Sequence, residues 1–173
     1  MNEIEFKQNL LHVTSRKFGK LFCDYTKKRI KAKQSDNIHY SLLRGKNKIA
    51  VKAGRAIKEN DSSSYFDKIF HSNEYCSLND SFNCIIQQIR LNYFDTMYFY
   101  LCFEDGIRRY SIKKEDIKKH ASILNYVPYQ HHGNSGLEGQ LHITNKNIDK
   151  VNKLFCKETI SYNDILSFSR SYS

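Results

Sequence analysis

The sequence predicts an α/β (α+β) domain in which a mixed central β-sheet is flanked by helices, with residues 1–173 forming one domain. Three observations lead there. Apolar residues recur at helical spacing near both ends of the chain, the middle carries runs dense in β-branched and aromatic residues, and the order of these segments is helix, helix, several strands, helix, strand, helix. At 173 residues, with 40% hydrophobic and 13% aromatic content, the chain is long and apolar enough to bury a real core rather than remain disordered.

In chain order, NEIEFKQNLLH reads as a short amphipathic helix. SRKFGKLFCDYTKKRIKA reads as a longer one, with Ser15 as its N-cap and Phe18, Leu21, Phe22, Tyr25 and Ile30 at helical spacing. QSDN ends it. IHYSLL and KIAVKA are expected as two strands joined by the tight turn RGKN. Lys58 to Asp80 is polar, with a short helix expected within SSSYFDKIFHS. CIIQQIR and FDTMYFYLCF resume strand character, and EDG turns the chain into the strand IRRYSI. KKEDIKKHASIL reads as a helix, QHHGNSGLEGQ as a glycine-bearing loop, LHI as a strand and NIDKVNKLF as a helix, before a terminal helix and tail from Asn163.

Charge narrows the function. The net charge is +10, and it is unevenly spread. Residues 15 to 58 hold 14 basic residues against Asp24 and Asp36, while the rest of the chain is close to balance. A field of one sign on one segment favours a polyanionic partner, through steering and counterion release. Nucleic acid is the expected partner and a membrane is not. The five cysteines are odd in number and lack CxxC spacing, which argues for free thiols in a reducing, cytoplasmic setting over a zinc site. The opening MNEIEFKQNLLH mixes acids among its apolar residues, unlike a secretory or membrane-spanning segment.

The stretch HYSLLRGKNKIAVKAGR, residues 39 to 55, has the frame of a metal-dependent nuclease site without its acids. With the preceding helix it resembles the PD-(D/E)XK nucleases, the fold of many type II restriction endonucleases. There a helix with a glycine and an acid precedes a strand bearing Asp and a second strand bearing Glu-x-Lys. Two carboxylates hold Mg²⁺ beside the scissile phosphate, and the lysine orients or activates the attacking water. In this chain the glycine is Gly19, the lysine is Lys52, and Lys52 shares a strand face with Ala50. The three acidic positions fall at Cys23, Ser41 and Ala50. Asp24 is expected to point about one hundred degrees away from Cys23 around the helix. Glu59, Asp61 and Glu74 are the acids placed for a site that draws its second carboxylate from a later helix.

The resemblance extends over roughly residues 15 to 110, through CIIQQIRLNYFDTMYFYLCFEDGI, where Gln88 (or Gln87) falls at a glutamine near the metal-bearing edge and Arg90 is within reach of phosphate. It implies a restriction-endonuclease-like sheet, a Mg²⁺ cofactor that these substituted positions would not hold, and a homodimer or a heterodimer with a catalytic subunit. The degenerate site is Lys52, Ser41, Ala50 and Gln88, and the metal ligands are none. Arg44, Lys46, Lys48, Arg55 and Arg90 are the expected phosphate contacts.

The loop from Gln130 is the second candidate. Gln130, His131, His132, Asn134 and Gln140 carry side chains that pair with base edges in the major groove, and glycines let a backbone approach a ligand. The function implied is sequence-specific binding of duplex DNA, with cleavage belonging to the family and removed here with the acids. An RNA-binding or regulatory module without nuclease ancestry is the alternative, and a metal-independent enzyme built on Lys52 with His131 and His132 is a third.

Overall fold

The first helix begins where the sequence supplies a cap. Asn2 Oδ1 accepts the Glu5 amide at 2.9 Å and the Glu5 carboxylate accepts the Asn2 amide at 3.1 Å, a reciprocal box that starts α1 (Glu3–His12). The computed structural model describes residues 1–37, 40–58, 65, 69, 72, 74–128 and 138–172. The second helix, α2 (Ser15–Ile30), is capped one residue earlier than expected. Thr14 Oγ1, rather than Ser15, accepts the Lys17 amide. Lys27, Lys28 and Arg29 fill the last turn of α2, where cations offset the exposed carbonyls, and Lys31 closes it in a left-handed conformation.

A six-stranded sheet follows, in the order β1-β2-β3-β6-β7-β9, from β1 (Lys33–Gln34), β2 (Leu42–Arg44), β3 (Asn47–Arg55), β6 (Thr96–Cys102), β7 (Ile107–Lys113) and β9 (Cys156–Ile160). It is mixed, because β3 and β6 are parallel and the other pairs antiparallel. The β2–β3 turn holds two residues, and its first, Gly45, takes φ +61°, which a side chain resists. A second antiparallel sheet, β4-β5-β8, is built from β4 (Ile57–Lys58), β5 (Phe82–Ile89) and β8 (Gly139–Thr144).

Strand alternation divides the core in two. On β6, Met97, Phe99 and Leu101 join one cluster with the small sheet and with α3 (Lys114–Lys119), α4 (Ala121–Leu124) and α5 (Ile148–Phe155). Tyr100 and Cys102 point the other way, into a cluster with α1, α2 and α6 (Tyr162–Tyr172). The result is three layers with the large sheet in the middle.

This is the α+β class with a mixed, helix-flanked sheet that the sequence predicts. The small sheet and the strands β1, β4 and β9 are additional. The single helix expected over KKEDIKKHASIL is two, broken at His120. The helix expected within SSSYFDKIFHS falls largely outside the described residues.

Arg55 corrects an expectation directly. It is 2% exposed, so it does not stand on a surface to meet phosphate. Residue alternation from Ile49 places it on the α1–α2 face, where its guanidinium stacks 3.9 Å from the Phe18 ring centroid. Its Nη2 donates to Val13 O at 2.7 Å and, with Nε, to Leu10 O at 3.3 Å, satisfying carbonyls at the end of α1. Arg55→Lys keeps the charge but loses the planar fork. It is expected to lower stability by about 1–2 kcal/mol in urea melts.

Candidate functional site

The short reach of β2 creates the site. It pairs with β3 only over Asn47 to Ile49, so among the described residues the edge of β3 beyond Ile49 has no strand neighbour on that side. A cavity of about 920 Å³ runs along this open edge, between α2, the segment before β2, and β5. Helical spacing turns Arg16, Gly19, Lys20 and Cys23 toward it, β3 supplies Ala50, Lys52 and Gly54, and β5 supplies Gln87, Gln88 and Arg90.

Cys23, Ser41, Ala50 and Lys52 therefore meet in space. Cys23 and Ser41 line the cavity together, and Ala50 and Lys52 lie on the same wall. Burial, then the nearby Asp24 carboxylate, push the Cys23 thiol up, so it stays protonated at neutral pH. Asp24 also lines the cavity. A cavity this wide is touched by two successive helix residues, and Lys20 Nζ holds Asp24 Oδ2 at 2.5 Å.

Lys52 is half-buried, with no hydrogen bond or ion pair among the described residues. Burial first, then repulsion from Arg90, bring its pKa from 10.5 down to about 8, and Glu138 only partly offsets them. Glu138 is a buried carboxylate at the start of β8, ion-paired with Arg90 at the end of β5. Sequence reasoning left it in a loop and missed it. Its neighbour Gly139 was the available signal, because a Cβ there would lie 2.6 Å from the Tyr126 ring, which marks a close-packed strand start.

A β-bulge shapes the third wall. Ile86 pairs with Leu141 and Ile89 with Gly139, so Gln87 and Gln88 together oppose Gln140. Gln88 takes φ +58°, uncommon for a side-chain-bearing residue, and is exposed at the cavity. Gln140 lies in β8 rather than in a loop, bridged to Val127. Arg44, Lys46 and Lys48 are exposed at the β2–β3 turn, apart from the cavity lining. Gln130, His131, His132 and Asn134 lie outside the described residues, as do Glu59 and Asp61.

The described residues do not fit Mg²⁺. A hard cation needs anionic oxygens, whereas Ala50 offers no donor, Ser41 a neutral hydroxyl and Cys23 a protonated thiol. Asp24 and Glu138 are each committed to a basic partner. Among the described residues no three His, Cys, Asp or Glu side chains gather as a metal site. What the described residues offer instead is converging cations and, at Lys52, an ammonium that gives up its proton more readily than an exposed lysine. No helix among the described residues is long and apolar enough to cross a membrane. No family model, curated protein or solved structure matches the chain.

Proposed function

We propose that this chain binds duplex DNA on a restriction-endonuclease-like frame, gripping phosphates without carboxylate-held Mg²⁺. The observation that carries the reading is the cavity along the open β3 edge. Lys52, Arg90, Cys23, Ser41 and Ala50 all line it, which supports the resemblance read from the sequence. Arg16 and Lys20 stand at its α2 wall, and the exposed Arg44, Lys46 and Lys48 extend the basic surface along the β2–β3 turn. Such a spread of cations suits a phosphate backbone better than a small anion. With the acids replaced, the chain acts as a DNA-binding homodimer, or as the binding member of a heterodimer whose catalytic partner supplies hydrolysis.

Fluorescence anisotropy with labelled duplexes between 50 and 200 mM salt tests this. The logarithm of affinity is expected to fall linearly with the logarithm of salt concentration. Replacing Arg44, Lys46 and Lys48 together by alanine is expected to reduce that slope by about 2–3, one near-unit step per lost phosphate contact. A single-stranded RNA bound more tightly than any duplex would move the reading to an RNA-binding module.

A further inference from the structure

The cleft holds a chemical group that phosphate binding does not use. A cation that serves only a phosphate backbone works best on an exposed surface, where Arg44 and Lys46 stand. Lys52 is instead drawn into the cavity wall, without a hydrogen bond or ion pair among the described residues. Arg90 and Glu138 stand beside it. An amine in such a setting is suited to attack a carbonyl carbon.

The carbonyls of intact duplex DNA are the amide-type groups of its bases, which do not form imines with an amine, so the electrophile must come from damaged sugar. Where a base has been lost, the deoxyribose opens to an aldehyde at C1′, in a gap a protein side chain can enter. We propose that Lys52 forms an imine with the aldehyde of an abasic site in duplex DNA, making this chain a metal-independent abasic-site lyase. The proposal rests on the DNA-binding reading and gives that site its substrate.

Lys52 Nζ attacks C1′ as free amine, and water leaves as the C=N bond forms. The protonated imine acidifies C2′, and a water molecule in the cleft takes the C2′ proton. The electrons form the C2′–C3′ double bond as the C3′–O bond breaks, and the 3′ phosphate leaves with that oxygen. Water then hydrolyses the imine, returning the amine and an unsaturated aldehyde on the 5′ fragment. No oxidant, reductant or metal is consumed. The cavity, at about 920 Å³, has room for a sugar and its phosphate, and Arg90, Arg16 and Lys20 are placed for the flanking charges. The lowered pKa of Lys52 adds a larger share of free amine at neutral pH than an exposed lysine has.

The test uses the full chain and a labelled duplex with one abasic site, in EDTA, with and without sodium borohydride. Borohydride reduces the imine and locks a covalent adduct, seen on a denaturing gel and mapped by mass spectrometry. The expected result is an adduct at Lys52 and, without borohydride, a strand break 3′ to the abasic site. Lys52→Arg keeps the charge but cannot form the imine, and is expected to lose both products by about 100-fold or more. An adduct that persists in Lys52→Arg would place the chemistry on surface lysines and overturn the proposal. Binding to undamaged duplex is measured in parallel on the unmodified chain. Binding without an adduct would overturn the lyase and leave the DNA reading standing, whereas neither binding nor an adduct would sink both.

Discussion

Replacing Lys52 by methionine is expected to stabilise this protein by about 2–3 kcal/mol at neutral pH, a rise of roughly 4–12 °C in melting temperature for a domain of this size. Most substitutions at partly buried positions destabilise, so the sign is the informative part. Lys52 is held where burial and the Arg90 charge both disfavour its ammonium, lowering its pKa from 10.5 to about 8. Below pH 8 the folded and unfolded states are both charged, and the folded state bears the whole cost. Between about pH 8 and 10.5 the folded state releases its proton first, so the cost shrinks as pH rises and vanishes above the unfolded value. The advantage of Lys52→Met should therefore be greatest below pH 8 and fade by about pH 10.5. Urea melts of both proteins at pH 7 to 10.5 measure the difference directly. Taking it relative to the variant removes the tyrosines and other cysteines that titrate in the same range. An equal pH profile in the two proteins would mean that Lys52 is an ordinary solvated lysine, and the case for it as an amine nucleophile would weaken with it.

A residue that lowers stability is held by something other than folding, and strongly perturbed groups in clefts mark functional sites. In the sequence, Lys52 stood out only because Ala50 lay two residues before it and RGKN turned the chain just upstream. Those signals are local, so the β2–β3 hairpin and the shared face of Ala50 and Lys52 were legible. Alternation along β3 also contained the correct answer for Arg55, because residues three apart lie on opposite faces of a strand. Resemblance to a phosphate-binding motif outweighed it. The cap at Thr14 differed by one residue because Thr14 and Ser15 both carry a hydroxyl, and backbone geometry chooses between them.

Glu138 was beyond reach for a different reason. It meets Arg90 across 48 residues, and only the pairing of β8 with β5, with an extra residue at Gln87–Gln88, puts the two side by side. A bulge depends on partner strands rather than on local composition, so QQIR alone could not announce it. The edge strand β9 was equally silent. CKETI is short, mixes two charged residues into its five, and gains its place only by pairing with β7.

Gly54→Ala is expected to cost about 3 kcal/mol, and the reason lies in how the two sheets meet. A Cβ at position 54 would stand 2.4 Å from Cys84 Sγ, 3.7 Å from Ile86 Cγ1 and 3.8 Å from the Tyr65 hydroxyl. Cys84 is fully buried in β5, and Tyr65 holds Arg55 N and O as well as facing the thiol, so neither neighbour yields cheaply. The glycine is needed here for space rather than for an unusual φ. Cys84→Ala alone is expected to cost about 1–2 kcal/mol through the lost sulfur contacts. In the double variant the new methyl occupies the volume the sulfur left, so the two costs should fall short of their sum by about 1–2 kcal/mol. Additive costs would show that the close approach at Gly54 is not what limits the spacing of β3 and β5. That spacing matters chemically, because it sets Lys52 on one strand within electrostatic reach of Arg90 at the end of the other. Gly54→Ala should thus also raise the Lys52 pKa toward its ordinary value as the strands part, with the difference read by NMR titration of the Lys52 ammonium. The double variant should bring the pKa back down.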